Sequence, residues 1–272
     1  MSHFTVGVIL KDINKLKDIL EPFNENIEVP EYVEYTKEQL IAKSKKEIED
    51  YKNGIYAEYL NDVKSYEEKY KENEGHIDYL KNEFPLKLKW SDEEHYQNEI
   101  KWVDKENIGP QGEMISTYNP KSKWDWWVLG GRWKDDIRFK NGGRGDWGLI
   151  KDIDFSLDQT IYDKSIRYWE VVVEKQLLKE HENEKDFSSY YKESYYIDQY
   201  GTKENYARIH ATFRTFALIT LDGEWHEKGK MGWFGIDDST KESQELYLDF
   251  FQKEMSKEEN QDCYLAVVDC HI

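Results

Sequence analysis

The chain has 272 residues, a formal net charge of −18 and a mean hydropathy of −0.92, and 15% of its side chains are aromatic. Disordered chains are poor in aromatics, so the composition points to a globular protein with a very polar surface, long enough for one large domain or two modest ones. The acidity disfavours duplex nucleic acid and anionic membranes, both of which are gripped by Lys and Arg.

In chain order, FTVGVIL (4–10) is a β-branched apolar run that reads as a buried strand. KDINKLKDILEPF reads as a short helix or turn ending at Pro22. From Thr36 onward Ile48, Tyr51, Ile55, Tyr59, Val63, Tyr66 and Tyr70 recur every three or four residues, one stripe of an amphipathic helix. Unbroken from 37 to 72, that helix would be roughly 54 Å long, with Gly54 as its weak point and Asn73 and Gly75 at its end. IRYWEVVVEKQLL (166–178) has a β-branched centre that favours a strand over a helix, and 179–206 reads as a charged, tyrosine-rich loop or short helix. ATFRTFALITLDGEWHEKG (211–229) alternates around Asp222-Gly223, a strong hairpin signal. MGWFG (231–235) leads to a helix with Ser239 as N-cap and Glu242 completing a capping box, and CYLAVVDCHI closes the chain as a strand.

These elements predict a single α+β domain over 1–272, a mainly antiparallel sheet containing both terminal strands, with 31–106 as a mostly helical insertion or covering layer. No apolar run reaches the roughly 18 residues of a spanning helix, and MSHFTVGVIL lacks the basic region and cleavage site of a signal peptide. Only Cys263 and Cys270 occur, too few for a disulfide framework, so a cytoplasmic setting is expected.

The stretch STYNPKSKWDWWVLGGRW (116–133) holds four of the ten tryptophans. It lies in a cationic island: residues 110–150 carry seven basic and five acidic side chains, against 13 basic and 20 acidic over 31–106. Two Gly-Gly-Arg copies, Gly130-Gly131-Arg132 and Gly142-Gly143-Arg144, suit anion-binding nests followed by a guanidinium fork. Tryptophan faces can stack on bases, so the ingredients are those of a nucleotide pocket without a Walker or Rossmann pattern. The competing reading makes WDWWVL a strand, Gly130-Gly131 a turn and the tryptophans core, with Asp125 paired to Arg132 or Lys123. His3, His226 and His271, the last beside Asp269, fall near strand ends. If the terminal strands pair, His3 and His271 meet, as a metal or proton-transfer site would require. Two-histidine phosphoesterases need a repeated His-x-Ser/Thr pattern; His3-Phe4-Thr5 fits one half, but the chain ends one residue after His271.

Four blocks in order, MSHFTV, NPKSKWDWWVLGGRW, WHEKGKMGWFG and VVDCHI, resemble a family of phage and bacterial proteins without an assigned activity. Residues 20–110 and 179–205 lie outside the resemblance. It implies a phage or prophage accessory protein of the kind that counters host defence. The expectation that follows is a cytoplasmic binding protein, without cofactor, that sequesters a small anionic nucleotide-like immune signal such as a cyclic dinucleotide or a cyclic ADP-ribose. Trp124, Trp126, Trp127 and Trp133 would stack on it and Lys123, Arg132 and Arg144 would hold phosphate. Gly130 and Gly131 would line the pocket, and Trp225, His226 and Trp233, with Lys228, Asp269 and His271, would complete it or its rim. A homo-oligomer fits a sequestering protein. The alternatives are a phosphodiesterase-type enzyme using His3, His226 or His271, and an acidic inhibitor that binds a host defence protein through its helical face.

Overall fold

The computed structural model describes residues 2–232 and 235–272. Its strands are β1 (His3–Leu10), β2 (Glu28–Tyr35), β3 (Met114–Tyr118), β4 (Trp126–Leu129), β5 (Ile137–Arg138), β6 (Arg144–Gly145), β7 (Trp147–Leu149), β8 (Ala217–Ile219), β9 (Trp225–Glu227) and β10 (Tyr264–His271). The α-helices are α1 (Leu16–Leu20), α2 (Lys37–Tyr51), α3 (Ala57–Asn61), α4 (Val63–Lys69), α5 (Glu74–Asp78), α6 (Phe84–Lys87), α7 (Asp92–Ile100), α8 (Gln159–Val172), α9 (Glu193–Tyr200), α10 (Lys203–Ala211) and α11 (Lys241–Ser256). The chain divides into two compact units: residues 1–27 with 119–272, and residues 28–118.

The first unit is an α+β fold on a mainly antiparallel sheet. Its order is β4-β10-β1-β8-β9, with β7 also on β10, and only the β1–β8 pair is parallel. The two terminal strands are its centre, paired antiparallel along their full length from His3↔His271 to Leu10↔Tyr264. Their near-continuous apolar character follows from burial on both faces. One face carries Phe4, Val6, Val8, Ala266, Val268 and Cys270 against Leu16, Leu20 and Phe23 from α1 and the turn after it. The other carries Ile9, Leu218, Leu265 and Val267 against Tyr247, Phe251 and Met255 of α11. The hairpin expected around Asp222-Gly223 is present, with Gly223 at φ +84°.

Two local expectations for this unit are corrected. The segment expected as a strand at 166–178 lies largely in α8, because Asp158 caps that helix and Ser165, Trp169 and Val172 fall on one buried stripe. Burial of that stripe outweighs the β-preference of Val171–Val173. In α11 the N-cap is Thr240, one residue later than expected, with Ser243 completing the box; Ser239 N–H donates instead to Asp237.

The second unit is mostly helical, with β2 and β3 as an antiparallel pair. The expected single long helix is interrupted twice. Gly54 sits in a π-helical turn at Lys52–Tyr56. Asp62 leaves helical geometry altogether (φ −150°, ψ 85°) to accept from Ser65 N–H and cap α4. Asn73, expected at a helix end, instead caps α5. The tyrosine stripe closes on itself: Tyr59 and Tyr66 pack with Leu80, against Tyr51, Tyr56, Val63 and Tyr70.

Candidate functional site

Strand periodicity sorts the WDWW motif onto two faces. Trp127 lies opposite Cys270 and, with buried Trp124, joins the core cluster around α1. Trp126 lies opposite His271 on the other face and is 43% exposed. On that second face, at the sheet end carrying both termini, β1 contributes His3 and Thr5, β10 contributes Asp269 and His271, and β4 contributes Trp126 and Val128.

His3 and His271 are cross-strand neighbours with ring centroids 5.0 Å apart, and Trp126 stacks on His271 at 5.2 Å. Each imidazole has its own carboxylate. His3 Nδ1–H donates to Asp269 Oδ1 at 2.8 Å, and His271 Nδ1–H donates to Asp125 Oδ1 at 2.6 Å. With Nδ1 committed as donor, Nε2 carries the lone pair of each neutral ring. Neither Nε2 has a hydrogen-bond partner among the described residues. Both side chains are largely buried, His3 at 12% exposure and His271 at 6%, so packing fixes their orientation. Two oriented imidazoles packed edge to face, one neutral and one protonated, can accept one proton and deliver another.

The first Gly-Gly-Arg copy explains how Asp269 is held. Asp269 is buried, and its second oxygen accepts the main-chain N–H of Arg132 at 3.0 Å. Gly131 has φ +54°, and a Cβ there would lie 2.4 Å from Asp269 Cβ. Glycine is therefore required twice over, for backbone conformation and for close approach. The anion that the turn meets is this chain's own carboxylate, held through the Arg132 N–H. The second copy is the β5–β6 hairpin turn, where Gly142 adopts φ +85° and Gly143 N–H donates to Asn141.

No protein-family model, curated protein or solved structure matches this chain.

The remaining nominated residues are dispersed. Lys123 is ion-paired to Glu227 at 2.7 Å. Trp225 packs on Phe4 and Phe23, and its Nε1–H donates to Glu227. His226 is on the opposite face of β9, its ring 4.5 Å from that of Phe250. Trp133 packs against the cluster around α11. Lys228 pairs with Asp237. Arg144 lines a different cavity. Arg132 is exposed, with no side-chain ion pair among the described residues. Trp233 lies outside the described residues. Among the residues named for grip, Trp126 contacts both histidine rings, while Gly131 and Arg132 reach the pair only through Asp269.

A cavity of about 790 Å³ has His271 and Asp125 in its wall, with Met231, Ile236 and Ile272 as apolar lining. Its other ionisable lining is Glu25, Lys230, Asp237 and Asp238. Among the described residues no three His, Cys, Asp or Glu side chains group as metal ligands. Sequence reasoning missed Asp125 as the partner of His271. The two are 146 positions apart, and only the β4–β10 pairing brings them together.

Proposed function

We propose that this end of the sheet is an acid–base site that breaks a phosphodiester-type bond in a nucleotide-derived small molecule. The observation that carries the reading is the cross-strand pair of histidines, each held through Nδ1 by its own carboxylate. In hydrolysis, the Nε2 lone pair of the neutral ring takes a proton from water as the water oxygen attacks phosphorus. The protonated ring gives its Nε2 proton to the departing oxygen, so one water is consumed and the pair ends with its protons exchanged. Exposed Trp126 offers a stacking face beside the reacting centre, and Arg132 a cation on the residue that also orients Asp269. The resemblance to phage accessory proteins supports a nucleotide immune signal as the substrate and counter-defence as the role.

Sequestration without turnover is the second reading, favoured by the exposure of Trp126 beside the histidines. One experiment separates the two. Purified protein is incubated with cyclic dinucleotides, cyclic ADP-ribose isomers and linear nucleotides, filtered and heat-denatured, and both fractions are resolved by chromatography with mass spectrometry. A chemically altered compound supports the enzyme. An intact compound held and then released on heating replaces it with the binding protein, and passage of every compound unchanged removes both.

A further inference from the structure

A second polar cavity, of about 190 Å³, lies in the same unit between the β5–β6 hairpin, the start of α8 and the segment following α10. Three arginines line it: Arg138, Arg144 and Arg214. Arg138 is committed, with ion pairs to Asp158 at 3.1 Å and Asp154 at 3.5 Å. The other two are not. Arg144 donates to the main-chain carbonyl of Asp135 at 3.0 Å, and half-buried Arg214 donates to that of Ile209. Among the described residues neither guanidinium has a carboxylate within ion-pairing distance.

The Arg214 guanidinium is withdrawn from water with most of its five N–H donors unmatched, which is costly unless something else supplies acceptors, and exposed Arg144 stands at the cavity mouth with donors free to join it. We propose that Arg144 and Arg214 form a binding site for a phosphate-class oxyanion in this cavity, a site separate from the two-histidine end and independent of its reading. Planar forks are the side chains best matched to phosphate oxygens. The field supports the assignment. His210, also in the wall, is pulled down to about 4, first by loss of water around its ring and then by the positive charges of Arg214 and Lys228. Of the three aspartates in the wall, Asp154 and Asp158 are occupied by Arg138. Asp136 is the carboxylate that opposes an anion, and its withdrawal from water favours its neutral form.

The test titrates the full chain with inorganic phosphate by calorimetry, with adenosine monophosphate in parallel. Saturable one-site binding is expected, about tenfold weaker in Arg144→Gln. Arg144 is exposed in a hairpin, so that variant folds; Arg214→Lys, which keeps the charge and loses the fork, is expected to weaken binding as well. Asp136→Asn is expected to tighten binding and His3→Asn to leave it unchanged. Tighter binding of adenosine monophosphate assigns the site to a phosphate ester, and tighter binding of phosphate assigns it to the free ion. Absence of saturable binding, indifference to Arg144→Gln and Asp136→Asn together, or loss of binding in His3→Asn would each overturn the proposal.

Discussion

Gly131, Asp269 and His3 form a chain of dependence in which a main-chain turn fixes a carboxylate and the carboxylate fixes an imidazole. Gly131→Ala is therefore expected to cost about 1–3 kcal/mol in urea unfolding and to lower turnover, because the new Cβ collides with Asp269 at a positive φ. Gly142→Ala meets open space, so its cost is limited to about 1–2 kcal/mol of left-handed backbone strain and turnover is unchanged. Comparing the two variants isolates contact with Asp269 from glycine's backbone freedom. The local composition of 116–133 was legible as a special place, and the pairing of His3 with His271 followed from pairing the terminal strands. The assignment of each tryptophan to a face was not legible, since it depends on which partner strand β4 takes. Neither was the pairing of Lys123 with Glu227, 104 positions away.

Among the elements, α8 shows how a charged contact secures a segment. Arg167 holds Glu182 at 2.7 Å, and Glu182 also accepts Lys179 N–H, so its carboxyl is pulled from 4.5 to about 2, chiefly by the Arg167 hydrogen bond. A depressed carboxyl stabilises the fold above its unfolded value and loses that contribution as pH falls from about 4.5 through 2. Glu182→Gln should thus lower the thermal midpoint at pH 7 and match the parent chain near pH 2; equal loss at both would refute the ion pair's role. In the helical unit, Gly54 lies at a helical position with open space around it and no positive φ. Gly54→Ala is expected to stabilise by about 0.5–1 kcal/mol in urea unfolding. Gly54 could be read as a weak point because glycine advertises its freedom. Asp62 could not, because a polar residue on a helix surface and one that leaves the helix to cap the next look alike until the next helix's packing is known.

At the scale of the whole molecule, residues 28–118 leave and re-enter the first unit at a closed stem. Asn119 Nδ2 donates to the carbonyls of Pro22 and Asn24, and Lys123 N–H donates to that of Phe23, all within that unit. Replacing 28–118 by a short Gly/Ser linker is expected to leave the sheet and the two histidine–carboxylate pairs folded, checked by imidazole proton resonances and by turnover. The α+β class was legible because both terminal strands announce themselves as apolar β-branched runs. No helix among the described residues is long and apolar enough to cross a membrane.

The most direct test of the acid–base reading measures single-turnover cleavage of the compound that the parent protein alters, in the parent and in His3→Asn and His271→Asn. Each substitution is expected to slow the chemical step by about 100-fold or more, while the amount of compound bound stays within about twofold. Cleavage at the parent rate in both variants would contradict the claim that these two histidines carry the proton transfers.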